Sequence, residues 1–140
     1  MKNAMKLTAT LLLLVLPLLC LVACDGEDKD LWADAKYTEN VTLGEGAKTV
    51  TVDVIADNKT VTFTIMTNKD TVGDALTEHG LLEGEDSQFG LYVKKVNGIE
   101  ADFDKDQTYW ALYINGEYAM TGVDMTEITE GAVYRLVRTK

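Results

Sequence analysis

Two alternating runs on either side of a short turn constrain this chain more than any other feature. From Thr49 to Ala56, Val50, Val52 and Val54 fall on one side and Thr51 and Asp53 on the other. From Thr60 to Met66, Val61, Phe63 and Ile65 oppose Thr62 and Thr64. Side chains of a strand point to alternate faces, so this period of two in β-branched residues predicts strands with one buried and one solvated side. Asp57-Asn58-Lys59 supplies turn chemistry between them. The pair reads as a β-hairpin.

The period then changes. Val72, Ala75, Leu76 and His79 stand at i, i+3, i+4 and i+7, which puts them on one helical face. Asp70 precedes them as an N-cap and Gly80 follows as a stop. So short a helix needs tertiary packing to hold it. Gly84 to Gln88 reads as loop, and Leu91 to Val96 as a third strand closed by Asn97-Gly98. Asp102 to Asp106 reads as a polar turn. Tyr109 to Ile114 and Glu117 to Met120 are strands about Asn115-Gly116, the strongest hairpin signal in the chain. Met125 to Gly131 turns again and Ala132 to Val137 is a final strand. The expected class is α+β: a mostly antiparallel sheet of about five to six strands with one short helix packed on one face.

The N-terminus carries a different signal. Lys2 and Lys6 precede an apolar run from Leu11 to Leu19. That run fits the roughly 7–15 residues of a signal-peptide core and falls short of the ~20 that span a bilayer. Leu21-Val22-Ala23-Cys24 follows and resembles the bacterial lipobox, in which the cysteine is alkylated with diacylglycerol and becomes the new N-terminus. Residues 1–23 are therefore expected to be a lipoprotein signal peptide, and Cys24 a lipidated anchor holding the protein on a cell membrane, facing outside the cytoplasm. Residues 24–47, rich in Asp, Glu, Gly and Lys, read as an acidic flexible tether. Residues 48–140 then form a single folded domain.

Cleavage removes two lysines and no acid, so the formal charge moves from −10 to −12. Such acidity argues against a nucleic-acid partner. The chain has two cysteines. Cys20 leaves with the signal and Cys24 is lipidated, so neither remains as a nucleophile, disulfide partner or metal ligand. His79 is the single histidine and, on the helix's apolar stripe, reads as a packing residue. Asp102, Asp104 and Asp106 mimic the start of a calcium loop. Gln107 and Tyr113 occupy the places of its glycine and its bidentate glutamate, so a solvated turn is the expectation. Neither a His-dependent triad nor a zinc site can be assembled. No enzyme, metal site or cofactor is expected.

Several segments taken in order resemble the transcobalamin-like C-terminal β domain of bacterial surface proteins and eukaryotic cobalamin carriers. They are Thr71-Val72-Gly73-Asp74-Ala75-Leu76, Tyr92-Val93-Lys94-Lys95-Val96-Asn97-Gly98, and Tyr109-Trp110-Ala111-Leu112-Tyr113-Ile114-Asn115-Gly116. Thr121-Gly122-Val123-Asp124 and Glu130-Gly131-Ala132 complete the pattern. The resemblance covers about Val52 to Val137. It implies a β-grasp-like fold, similar to soluble ligand-binding β-grasp modules. In the cobalamin carriers this domain covers ligand together with a large helical domain, and the present sequence departs from them in lacking one.

The Asn115-Gly116 turn also fixes a register. A two-residue loop pairs Ile114 with Glu117, Tyr113 with Tyr118, Leu112 with Ala119, Ala111 with Met120 and Trp110 with Thr121, and paired residues share a face. Trp110, Leu112, Ile114 and Ala119 are assigned to the core. Tyr109, Ala111, Tyr113, Tyr118 and Met120 form the opposite, amphipathic face, which is either an exposed binding surface or covered by the tether or the edge of the first hairpin. The resemblance points to the segment just after the hairpin, here Ala119, Met120 and Thr121. The expected ligand-binding residues are thus Tyr109, Tyr113, Tyr118, Ala119, Met120 and Thr121. The expected function is a lipid-anchored extracytoplasmic module that captures a corrinoid or other small nutrient for a membrane transporter. The alternative is a surface module that binds a protein or an envelope polymer.

Overall fold

The computed structural model describes residues 30–140; the expected signal peptide and Cys24 lie outside them. The described chain is sheet-rich. A six-stranded sheet has the order β1-β3-β2-β9-β7-β8 and a three-stranded one the order β4-β5-β6. The strands of the larger sheet are β1 (Val41–Gly44), β2 (Lys48–Ala56), β3 (Lys59–Thr67), β7 (Tyr109–Ile114), β8 (Glu117–Tyr118) and β9 (Val133–Thr139). The smaller sheet contains β4 (Leu82–Ser87), β5 (Gly90–Val96) and β6 (Ile99–Glu100).

The expected hairpin is β2–β3, joined at Ala56↔Lys59 by Asp57 and Asn58, with Asp57 at a φ of 53°. Val50, Val52, Val54, Val61, Phe63 and Ile65 are all buried on its inner face. Helix α1 (Val72–Glu78) buries Val72, Ala75 and Leu76. Its N-cap is Thr71, not Asp70: the Thr71 hydroxyl accepts the Asp74 N–H at 3.1 Å, while Asp70 is taken up by Lys48 at 2.7 Å. Gly80 stops the helix at a φ of 68°. Leu82, Val96 and Ile99 of the smaller sheet join the same core.

Most strand pairs are antiparallel, as expected, but the expectation of a single sheet and of a polar turn at 102–106 needs correcting. The main sheet is mixed, because β9 joins β2 in parallel and β1 joins β3 in parallel. A second sheet exists because residues 82–87, read as loop at 84–88, form β4 against β5. β4 is an edge strand whose residues beyond Leu82 are all exposed, so backbone pairing rather than apolar alternation holds it. Residues 103–106 coil into a single helical turn, α2 (Phe103–Asp106), capped by Asp102, whose Oδ1 accepts the Asp104 N–H at 3.0 Å.

Ordered structure begins well before Thr49. A 3₁₀ turn, Leu31–Asp34, is capped by Asp30 and buries Trp32. The Trp32 Nε1–H donates to the Ala56 carbonyl at 3.0 Å, and Lys59 Nζ lies 4.9 Å from the ring centroid. The chain then runs past the β5–β6 turn to Tyr37, which meets Phe63 edge-on at 5.7 Å, and enters β1. Residues 31–44 therefore form a strap across one end of the domain. The helices of the described residues are all too short or too polar to cross a membrane.

Candidate functional site

The site is built where two hairpins stop short. The β7–β8 register is Tyr113↔Tyr118 and Ile114↔Glu117, as the Asn115-Gly116 turn requires. Asn115 and Gly116 take φ values of 51° and 88°. The Tyr113 and Tyr118 rings meet edge-on at 5.6 Å. One further bond, the Ala119 N–H to the Leu112 carbonyl at 2.9 Å, ends the pairing, and the chain turns away. Met120 and Thr121 never reach Ala111 and Trp110. Antiparallel alternation leaves the Trp110 N–H and C=O facing the same side as the Leu112 carbonyl, with no strand beside them. Across the gap stands β5, where β6 pairs only Lys95 and Val96.

Between these incomplete edges lies a groove of about 140 Å³. Leu91, Tyr92 and Val93 form one wall, Tyr109 to Leu112 the floor, and Tyr118, Ala119 and Thr121 to Val123 the other wall. No carboxylate, imidazole, amine or thiol lines it. Its chemistry is apolar surface edged by tyrosine and threonine hydroxyls and open backbone. Such a lining suits apolar contact with a few hydrogen bonds.

Of the six residues expected to bind, Tyr109, Tyr118, Ala119 and Thr121 line the groove. Tyr113 packs on Tyr118 behind it, and Met120, 91% exposed, stands outside. Trp110 and Leu112 are buried as expected, with Ile114 and Ala119 packed against the core. Ala111 is buried as well. The β5 wall was missed, because nothing in the pattern of 91–93 couples it to a strand some twenty residues later. The rim is apolar: Phe89, Tyr92, Tyr118, Met120 and Met125 are all exposed, and Met125 Sδ and the Phe89 carbonyl lie near the glycines that bracket the groove.

Several charged groups of the described residues are engaged away from the groove. Lys94 pairs with Glu85 at 3.2 Å, which holds its ammonium above the ordinary lysine range. Asp106 accepts hydrogen bonds from the Thr108 hydroxyl and amide and pairs with Arg138 at 3.0 Å. Thr108 first, and Arg138 after it, keep this carboxyl below the usual range. Lys48 does the same for Asp70. A second hollow of about 180 Å³, beside Leu31 and Ile99, is edged by Arg138, Lys105 and several carboxylates, and Arg138 also donates to the Glu100 carbonyl at 2.8 Å. His79 caps α1 and packs over Gly44, with Nε2 buried and without a hydrogen-bond partner. Among the described residues no three or more His, Cys, Asp or Glu side chains gather as a metal site.

Residues 69–133 match a family described as a domain of unknown function (DUF4430). Among curated proteins none matches the chain. A solved structure from Ruminococcus gnavus, described provisionally as a metal binding protein, is 29% identical, with a TM-score of 0.64 over 67% of this chain and 98% of that one. Haptocorrin in complex with Cbi is 19% identical, with a TM-score of 0.54 over 66% of this chain. The chain spans 25% of the haptocorrin chain, so that likeness shows the fold of one part of it. Residues 69–133 are thus similar in sequence to that family, and about two thirds of the chain is similar in fold to the two solved structures.

Proposed function

We propose that this protein is a non-catalytic binding module, β-grasp-like in fold, anchored by lipid at Cys24 on the outer side of a cell membrane. It captures a corrinoid or another bulky, largely uncharged nutrient for a membrane transporter. The observation that carries the reading is the groove itself: uncharged, apolar and edged by the hydroxyls of Tyr109, Tyr118 and Thr121. The fold shared with a part of Cbi-bound haptocorrin supports it. At about 140 Å³ the groove is below the ~300–1,000 Å³ of sites that enclose a drug-sized ligand. It grips one edge of a large ligand and leaves the rest uncovered.

The strap bounds the reach of the proposed anchor. The first described element starts at Leu31, so a lipid on Cys24 would keep that residue within about 25 Å of the bilayer, the most that seven fully extended residues can span. A Cys24→Ala protein is expected to be released or unprocessed; its recovery in membranes as a mature-length chain contradicts the anchor. Equilibrium dialysis against cyanocobalamin tests the ligand class, with saturable binding expected and no retention up to near-millimolar ligand contradicting it.

The exposed rim supports a second reading. Phe89, Met120 and Met125 lie outside the groove, and a ligand seated in it leaves them in water. Apolar side chains grouped at one rim suit a protein or envelope polymer docking there.

A further inference from the structure

We infer that Asp124, seated by Gly73, is a positioning residue that sets the width of the groove. The inference deepens the binding reading given above and rests on it. Asp124 does not line the groove. Its Oδ1 accepts the Leu91 N–H at 3.0 Å. Leu91 belongs to one wall, and Asp124 directly follows Gly122 and Val123 of the other. β6 stops at Ile99–Glu100 and pairs no further up β5 than Lys95. The carboxylate therefore takes the place of a missing strand and ties the two walls together.

Three glycines from three segments make room for this tie. A Cβ on Gly90 would stand 2.8 Å from Asp124 Oδ1, and one on Gly122 would stand 3.0 Å from it. A Cβ on Gly73 would meet the Asp124 Cα at 2.7 Å and its N at 2.9 Å. Gly73 is the second residue of α1, and the first, Val72, donates its N–H to the Thr126 carbonyl at 2.9 Å. A further bridge joins Thr71 to Glu127. The start of α1 thus seats the 123–127 segment from behind, and Asp124 passes that position to β5. Groove geometry is set from the helix although no residue of α1 faces the ligand.

The test uses the full chain, with cyanocobalamin as probe and hydrogen exchange at the Leu91 amide as a readout that needs no ligand. Asp124→Ala is expected to speed Leu91 exchange and weaken probe binding by about tenfold each, the order of one charge-assisted hydrogen bond. Asp124→Asn, which keeps an acceptor oxygen, restores most of both. Gly122→Ala crowds the carboxylate at a φ of −70° that alanine adopts freely, and so perturbs the tie even if Asp124→Ala fails to fold. Gly73→Ala is expected to act the same way from the helix side. Unchanged Leu91 exchange in Asp124→Ala, or in Gly122→Ala, overturns the inference. If the unaltered protein ignores the probe, the ligand assignment falls, while the exchange data still decide whether Asp124 ties the walls.

Discussion

The Asn97 side chain grips the backbone of Tyr37 from both sides: its Oδ1 accepts the Tyr37 N–H at 3.0 Å and its amide donates to the Tyr37 carbonyl at 2.8 Å. The Asn97 backbone adds a bond to the Leu81 carbonyl and receives one from the Lys36 N–H, both at 2.9 Å. One fully buried asparagine in a tight turn therefore docks the strap onto the smaller sheet. A strand-like pairing made by a side chain gives the strap its register where no strand is available.

Asn97→Ala should lower stability by about 2–4 kcal/mol, because it strands two backbone groups and places alanine at positive φ. Asn97→Gly keeps the turn, which sits at a φ of 53°, and should cost about 1–3 kcal/mol through the lost clamp alone. Urea unfolding measures both. Equal losses contradict a backbone contribution.

Trp32→Ala should cost about 3–5 kcal/mol, the usual penalty for removing a buried large aromatic. Trp32→Phe keeps most of the packing and loses the bond to the Ala56 carbonyl, for about 1 kcal/mol. A change below about 0.5 kcal/mol in Trp32→Ala, as at an ordinary surface position, shows that residues 31–44 are a tether after all.

Tyr109→Ala and Tyr118→Ala should weaken cobalamin binding, since both rings line the groove. Met120→Ser should leave binding and stability unchanged, its side chain being exposed and outside the groove. Dialysis of the three variants separates a groove from a diffuse sticky face; equal losses in all three favour the latter.

Acid should remove two surface ties. Asp70 and Asp106 titrate below their ordinary 3.8 in the folded chain. A lowered folded value means that these groups stabilise the fold above the unfolded pKa, and that this contribution is lost as pH falls through the folded one. Both are solvent-exposed, so the effect is small. Asp70→Asn with Asp106→Asn should flatten the loss of stability between about pH 5 and pH 2 relative to the unaltered chain. An unaltered acid limb refutes the assignment.

The valine hairpin, α1 and the Asn115-Gly116 register are all legible in the sequence, because each follows from a local period or a local turn. β4 is not, since Glu83, Gly84, Glu85 and Asp86 carry no alternation and an edge strand needs none. The strap is hidden for a related reason: Trp32 and Tyr37 are isolated aromatics in polar sequence, and only the Asn97 clamp and the Ala56 carbonyl give them a place. The groove is half legible. Its floor and part of one wall come from one hairpin, whose pattern picks out Tyr109 and Tyr118. Its other wall comes from β5, brought near by Asp124 and by glycines whose purpose appears only when segments meet.

The most direct test of the account is the fluorescence of Trp110, in the groove floor, during titration of the intact protein with cyanocobalamin. Trp32, whose indole N–H donates to the Ala56 carbonyl, is the second of the two tryptophans. The account predicts saturable quenching that Trp110→Phe largely removes and Tyr118→Ala shifts to higher ligand concentration. Quenching that grows linearly without saturating, or that survives Trp110→Phe and Tyr118→Ala unchanged, contradicts a ligand site at this groove.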